Sequence, residues 1–382
     1  MKTPATPVEL AEGLRRAALH MRNIELLGSG SKCAMAGPRH AADEQFSTAA
    51  LNRVLEYEPR DLTVSVEAGL PWRDLVRVLA ANRQMVPLDP PYSAQATVGG
   101  VVAANCSGPR RRLHGTARDL VIGMQFATLQ GNLVQSGGMV VKNVAGLDMG
   151  KLMIGSFGTL AAIAAVNFKV LPMPEVERTV LLSFDSADAA IAARDKLLGG
   201  VLQPSAVDLL NPAAGAAVGN PRWILAVRAG GNRAAVDRHE RDLAALGEGI
   251  VLEDERQQQF WEQVEEFTPR FLAAHADGAE VRASCTLREL HAVMASFAGP
   301  ALARAGSGVC YGYFEDCDGA AQWLERHVQA GWKAVMEFAP EDRKPSLDAW
   351  PAPGKDLELM RRVKHMFDPD NLLNRGRLYS RI

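Results

Sequence analysis

Apolar residues recur at helical spacing across residues 8–21, which predicts an opening helix. A four-residue apolar run, Ile24 to Leu27, follows and leads straight into Gly28. Residues 62–68 alternate apolar and polar, the period of a half-buried strand, and stop at Gly69. Pro71 suits the first turn of a helix whose buried face would be Leu75, Val76 and Leu79. Two apolar runs, 121–129 and 133–135, flank Gln130-Gly131-Asn132 and read as a β-hairpin. A strand-like stretch over 161–171 ends at Pro172-Met173-Pro174. Two prolines one residue apart cannot extend a sheet ladder, so a domain boundary is placed there.

Beyond it the pattern gives strands over 179–184, 206–210, 223–228 and 250–252, with helices over 188–198 and 233–246. That is the β-α-β-β-α-β order of a ferredoxin-like unit. A further strand spans 279–285, and Thr286 and Glu289 have the spacing of a capping box ahead of a helix. A strand over 309–315 and a helix over 319–330 follow, and a last helix, 357–367, comes after Trp350-Pro351-Ala352-Pro353-Gly354. No internal sequence repeat is evident. The 382 residues divide into 1–174, 175–330 and 331–382. At roughly 100–200 residues per domain, a chain of this length holds two or three.

Composition narrows the function classes. Lys plus Arg is 42 and Asp plus Glu is 44, a net charge of −2, which excludes a basic surplus of the kind that drives non-specific nucleic-acid binding. With 47% hydrophobic residues the chain can bury a core without disulfides. No run of 18 apolar residues exists, so no direct membrane insertion is expected, and residues 1–7 lack the apolar stretch of a signal peptide. A cytoplasmic location is the expectation, with any membrane contact made through a partner. The five cysteines include no C-x-x-C, which fits reduced thiols and argues against an iron–sulfur cluster in this chain. Cys310 and Cys317 are near enough in sequence to approach each other.

Four segments could carry chemistry. In Gly28-Ser29-Gly30-Ser31-Lys32, glycines let the backbone come close to a diphosphate, and consecutive N–H groups can form an anion-binding nest. The third glycine of a dinucleotide fingerprint and the spacing of a phosphate loop are both missing, and a tight turn is the alternative. Residues 96–108 are small throughout, so either a large group passes the backbone or helices pack closely. Gly137-Gly138 leads through Lys142-Asn143-Val144-Ala145-Gly146 and Asp148 to Gly155 and Gly158. Last comes 367–377, a helix stop with Asn374-Arg375-Gly376.

In this order and spacing the four segments resemble the flavoproteins of the vanillyl-alcohol-oxidase type, whose FAD domain is called PCMH-type. The resemblance covers essentially the whole chain, most tightly 85–174 and 355–379. Gly108-Pro109-Arg110-Arg111, Gly115, Arg118-Asp119 and the 142–148 motif are similar to the FAD-binding subunits of bacterial glycolate oxidase complexes. The implied fold class is α+β: a PCMH-type, two-subdomain FAD-binding domain plus a small ferredoxin-like α+β cap, with the C-terminal segment returning to the FAD domain.

The resemblance implies FAD contacts residue by residue. Gly28, Ser29, Gly30, Ser31 and Lys32 would lie against the diphosphate. Thr97, Gly99, Gly100, Asn105, Ser107 and Gly108 would run beside the ring and ribityl chain, followed by Gly115, where His114 stands in place of the family's usual tyrosine. Gly158 and Ile163 would sit near the adenine and diphosphate, and Asn374 would return toward the flavin, with Arg375 where proline is usual. No histidine occurs in 28–33, so FAD is expected to be non-covalent, with Cys106 the one conceivable thioether position.

The His-x-Gly-Asp-Gly-Asn-x-His segment of the catalytic 2-hydroxy-acid dehydrogenases of this fold is absent. No metal site and no catalytic residue are therefore assigned. His239 in its charged helix reads as a solvated face, His365 as a surface or interface residue, and His114 as the one histidine near the flavin. The resemblance thus implies a flavin subunit of a glycolate-oxidising complex, working beside a catalytic flavin subunit and an iron–sulfur subunit. Arg110-Arg111-Arg112 could steer an acidic partner or pair with flavin phosphates. The alternatives are a stand-alone oxidoreductase for a small hydroxy acid or polyol, using some of Tyr311, Tyr313, Glu315 and Lys333, and a non-redox assembly subunit.

Overall fold

The computed structural model describes residues 1–139 and 148–382, so the Lys142-Asn143-Val144-Ala145-Gly146 motif lies outside the described residues. The chain forms two compact units. The first comprises Met1–Cys106, Thr116–Met173 and Glu341–Ile382; the second comprises Ser107–Gly115 and Pro174–Pro340.

In the first unit the opening helix, Pro7–Leu19, starts where Thr6 accepts a hydrogen bond from the Glu9 N–H and Pro7 occupies the first turn. Its Leu10, Ala11, Leu14 and Ala17 are buried with Ile24, Phe46 and Leu373. Strand β1 (Ile24–Leu27) pairs in parallel with β2 (Glu44–Ser47). Strands β3 (Val54–Glu58) and β4 (Thr63–Glu67) begin a five-stranded sheet, and β5 (Gln84–Met85) lies apart from it. The hairpin β6 (Val121–Ala127) and β7 (Leu133–Gly137) forms with the expected turn. Then come β8 (Ala162–Lys169) and β9 (Leu171–Pro172). The five-stranded order is β3-β4-β8-β6-β7, antiparallel throughout. The expected helix after Pro71 spans Trp72–Ala80, but its buried face is Trp72, Leu75 and Leu79. Val76 is 44% exposed, because the stripe this helix turns inward is supplied at its first turn by Trp72 instead.

The second unit is one eight-stranded antiparallel sheet of β10 (Val176–Phe184), β11 (Ala206–Leu210), β12 (Trp223–Gly231), β13 (Gly249–Leu252), β14 (Ala279–Ser284), β15 (Ala301–Arg304), β16 (Val309–Phe314) and β17 (Lys333–Phe338). The spatial order is β13-β10-β12-β11-β15-β16-β14-β17. The first four strands with helices Ala187–Leu198 and Arg233–Ala244 make the ferredoxin-like unit expected from the pattern. The last four, with helices Leu290–Ala295 and Cys317–Gln329, repeat the same β-α-β-β-α-β order, and the two repeats join edge to edge through β11 and β15. The doubling is invisible as a sequence repeat because only the burial pattern recurs, not the residues. Ser186, Asn232 and Asp316 each cap a helix of this unit through a side-chain oxygen.

Four expectations change here. The second unit runs to Pro340 and takes in Ser107–Gly115, whereas the sequence placed a boundary at 330 and 1–174 in one block. Residues Lys333–Phe338 are a strand completed by pairing with β14, a partner more than 45 residues away in sequence. Thr286 and Glu289 do make their reciprocal side-chain bonds to the backbone, but around a turn that precedes the helix Leu290–Ala295. His239 is 9% exposed rather than solvated, its Nδ1 held 2.8 Å from the Ala235 carbonyl; His365 is exposed.

The seam between the repeats carries a charge pair. Asp208 on β11 stands directly opposite Arg304 on β15, both are buried, and the Arg304 guanidinium donates to the Asp208 carboxylate. Removing one member of a buried pair strands the other, which costs about 3–5 kcal/mol. D208N should therefore lower the unfolding free energy by about that amount in denaturant titration; a change of about 0.5 kcal/mol, the size of an exposed pair, would contradict the reading.

Candidate functional site

Strand β1 delivers the chain into the loop 28–32, and this loop forms one wall of a cleft in the first unit. The cleft measures about 820 Å³ including its open mouth. It is lined by residues 25–33 of β1 and its loop, by Thr97, Gly99, Gly100, Ala103 and Ala104, by Phe157, Gly158, Ala161 and Ile163, and by Arg39, Thr48, Asn374 and Arg377.

Close backbone approach explains the glycines. A side chain at Gly28 would place its Cβ 2.2 Å from Thr97 Oγ1, and Thr97 in turn caps the helix Val98–Ala103 by accepting from the Gly100 N–H at 3.3 Å. At Gly99 a Cβ would fall 2.7 Å from that of Ala68. The helix can therefore lie close against β4 only with glycine there. Gly30 adopts φ +78°, a conformation that side-chain-bearing residues rarely take.

The polar groups of the loop divide by direction. Among the described residues, the N–H groups of Ser29, Gly30 and Ser31 have no protein acceptor. Three successive unfilled donors on a cleft wall suit a dianionic diphosphate. Four of the carbonyls that follow are taken up by two cations. Lys344 Nζ donates to the carbonyls of Cys33 at 3.0 Å, Met35 at 3.4 Å and Gly37 at 3.3 Å, and to Glu341 at 3.1 Å. The Arg377 guanidinium donates to Lys32 and Cys33 carbonyls at 3.3 Å each, and also to Gly37. Gly37 has no room for a side chain, since a Cβ would meet the Gly376 carbonyl at 1.9 Å. Lys32 lines the cleft with its own ammonium 3.0 Å from the Pro91 carbonyl, and Arg39 is paired with Glu25.

Burial lowers the pKa of both clamping cations. Lys344 falls to about 8, first through burial and then through Arg377, against the pull of Glu341. Arg377 is lowered chiefly by burial.

Of the residues singled out from the sequence, Gly28, Ser29, Gly30, Ser31, Lys32, Thr97, Gly99, Gly100, Gly158, Ile163 and Asn374 line this one cleft. Asn105 is exposed at φ +50° and does not line it. Ser107, Gly108 and Gly115 belong to Ser107–Gly115 of the second unit and are not among its lining residues. Asn374 spends its amide on the protein. Its Oδ1 accepts from the Leu26 N–H at 2.7 Å, and its Nδ2 donates to the carbonyls of Phe157 at 2.8 Å and Leu26 at 3.1 Å. It thereby fixes the wall on which Gly158 sits. Sequence reasoning passed over Glu25, Arg39 and Lys344, and placed Arg377 in a candidate segment without a role of its own. The signal available was a run of charges, Glu341 to Lys344 and Arg375 to Arg377, in segments otherwise read as loops.

In the second unit, Tyr313 and Thr268 hydroxyls are 3.0 Å apart, and Thr268 also bonds the buried Glu280 carboxyl, which burial and Glu337 hold well above the ordinary carboxylate range. Tyr311 is raised by burial, Glu315 is exposed, and Lys333 is exposed opposite Ser284. These four do not gather into one constellation. Cys310 lies beside Cys285, not Cys317, with the sulfurs 4.0 Å apart, because the β14–β16 pairing brings those two positions together. No described group of three or more His, Cys, Asp or Glu has the placement of a metal site. No described helix is long and apolar enough to cross a membrane.

Comparison with known proteins gives the family and the fold. Residues 2–137 match the family model described as FAD binding domain, and residues 173–318 and 351–378 match FAD linked oxidases, C-terminal domain. Glycolate oxidase subunit GlcE of Escherichia coli is 34% identical over 166 residues, 43% of this chain and 47% of that protein. Glycolate oxidase subunit GlcD of Bacillus subtilis is 30% identical over 161 residues, 42% of this chain and 34% of that protein. The matched stretch thus spans half or less of these relatives. Among solved structures, p-cresol methylhydroxylase superposes with TM-score 0.77 at 15% identity, covering 99% of this chain and 88% of that one. That likeness establishes the PCMH-type fold.

The Lys344 clamp has a pH signature. Its folded pKa, about 8, lies below the ordinary 10.5, so above pH 8 the unfolded chain holds a proton that the folded one has released. Stability should therefore rise with pH from about 8 to 10.5 through this group, relative to K344M, which lacks it. Thermal unfolding of both proteins across that window checks the sign; parallel curves would refute it.

Proposed function

The chain belongs to the FAD-linked oxidase family, and on that footing we propose that it is the FAD-binding subunit of a complex that oxidises a 2-hydroxy acid, glycolate, to glyoxylate. In this reading it works beside a catalytic flavin subunit and an iron–sulfur subunit, with the first unit as the FAD domain and the ferredoxin-like repeats as the cap. The supporting observation is the cleft wall of three unfilled N–H groups at Ser29, Gly30 and Ser31, in a chain whose similarity includes a glycolate oxidase subunit.

The residues present fit FAD. Ser29, Gly30 and Ser31 would donate to the diphosphate, Lys32 and Arg377 would add positive charge at the cleft wall, and Gly99, Gly100 and Ala103 would leave room for the bulk of the cofactor. Bound FAD supplies the two-electron acceptor that no side chain offers. Everything else the chain does here is positioning: Thr97 and Asn374 hold the walls, and Lys344 and Arg377 hold the loop. Binding is non-covalent in this reading. Cys33 lies in the wall, and Cys106 is buried outside the lining.

A stand-alone oxidoreductase would need a base free to take the hydroxyl proton. Tyr313 and Glu280 are tied into a buried hydrogen-bond network, which disfavours that alternative.

The decisive experiment records the visible spectrum of the purified chain, then adds glycolate or D-lactate without oxygen. Flavin bands that stay unbleached alone, and bleach once the catalytic and iron–sulfur subunits are added, are the expected result. Bleaching of the isolated chain would transfer the assignment to a stand-alone enzyme, and a colourless chain that takes up no added FAD would remove the flavin reading. Acid precipitation should release the flavin into the supernatant. A β-branched residue at the φ of Gly30 costs roughly 1–3 kcal/mol of strain, so G30V should weaken FAD binding by about tenfold or more in a fluorescence titration.

A further inference from the structure

The second unit holds a pair of thiols that the flavin site does not use. Cys285 follows β14 and Cys310 lies on β16, with their sulfurs 4.0 Å apart. The register places Ala283 opposite Cys310, and the Cys285 N–H donates to the Gly308 carbonyl at 2.8 Å, so both thiols sit on backbone fixed by the ladder. A disulfide bond is about 2.05 Å long, so the sulfurs need to close by about 2 Å, a distance within reach of side-chain rotation.

The two thiols are not equivalent. Cys285 is half-buried and reachable, whereas Cys310 is fully buried. A buried guanidinium stands with them. Arg194 is 1% exposed, bonds the Leu287 carbonyl at 3.0 Å two residues on from Cys285, and keeps its Nη1 buried without a hydrogen-bond partner. The charged groups facing Cys285 are Arg194 from the helix Ala187–Leu198 and Glu289 from the turn after β14. The hydrogen bond from Cys310 draws the Cys285 thiol below its ordinary range, helped by Arg194 and opposed by burial and Glu289. That same bond, with burial, holds Cys310 well above it.

We propose that Cys285 and Cys310 form a redox-active dithiol that reduces hydroperoxides, Cys285 attacking and Cys310 resolving. The Cys285 thiolate attacks the near oxygen of the hydroperoxide, and the O–O bond breaks. The far oxygen leaves with a proton as alcohol or water, and Cys285 becomes a sulfenic acid. Cys310 sulfur then attacks Cys285 sulfur, the S–O bond breaks, and hydroxide departs with the Cys310 proton as water. Two thiols and one hydroperoxide give one disulfide, one alcohol or water, and one further water. An external thiol reverses the oxidation by exchange. The bond staples β14 to β16 inside the second ferredoxin-like repeat and is independent of the flavin reading.

The test treats the reduced full-length chain with one equivalent of hydrogen peroxide and maps it without reductant. The expected product links the peptides holding Cys285 and Cys310, lowers the mass by two hydrogens and reduces the free thiols from five to three. C310S should stop at a dimedone-trapped sulfenic acid on Cys285, and C285S should leave Cys310 unoxidised. Cys285 should react faster than Cys33 at pH 7, because the hydrogen bond from Cys310 favours its thiolate. The proposal falls if all five thiols persist, or if oxidation spreads to Cys33 at the same rate without a 285–310 link. The wild-type map decides this by itself should either variant fail to fold.

Discussion

Hydrogen bonds from a buried lysine and a half-buried arginine to the carbonyl side of one loop are the constraint on which the cleft depends. A loop that keeps its N–H groups open to an anion must satisfy its carbonyls elsewhere, since buried backbone polar groups left unpaired are costly. Here Lys344 and Arg377 take the carbonyls of Lys32, Cys33, Met35 and Gly37 from behind, while Ser29, Gly30 and Ser31 face the cleft with free donors. The arrangement explains why the C-terminal residues pack with the first unit although they are more than 300 residues from the loop in sequence. It also places positive charge beside the cleft wall proposed to hold the diphosphate, where reduced solvent screening strengthens its pull.

The second unit meets a different constraint. A ferredoxin-like sheet has two open edges, and unpaired edges invite association with other chains. Joining two copies through β11 and β15 removes one edge from each, and the Asp208–Arg304 pair sits directly on that join. The cost of burying two charges is met only if they meet in register, so the pair ties the repeats to a single alignment. The two helices that connect the repeats bring Phe260, Trp261 and Phe271 onto the joined sheet, sealing one face with aromatic surface.

The cleft and the sheet each use glycine for approach, in different ways. At Gly99 and Gly37 the neighbour is other protein, so these residues set how closely two segments meet. At Gly30 a Cβ would meet only Cys33 Sγ, at an ordinary 3.4 Å, and the backbone angle itself is the reason. Both kinds look the same in a sequence, and so 96–108 could be read either as ligand contact or as close packing. Gly99 proves to be packing that also lines the cleft.

Local patterns in the chain determined most elements: the opening helix, the 121–137 hairpin, the Gly28–Lys32 loop after β1 and the first ferredoxin-like repeat all follow from periodicity and turn chemistry acting over a few residues. The resemblance carried by the glycine motifs pointed to FAD and to eleven residues that do line one cleft. Tertiary structure alone decided the rest, because it depends on pairs far apart in sequence. Lys333 to Phe338 become a strand only against β14, and His239 is buried although its neighbours in sequence are charged. Lys344 and Arg377 acquire their role only when their carbonyl partners, some 300 residues earlier, are brought beside them. Periodicity records which face of a segment is apolar; it cannot record which distant backbone that face, or a cation beside it, will meet.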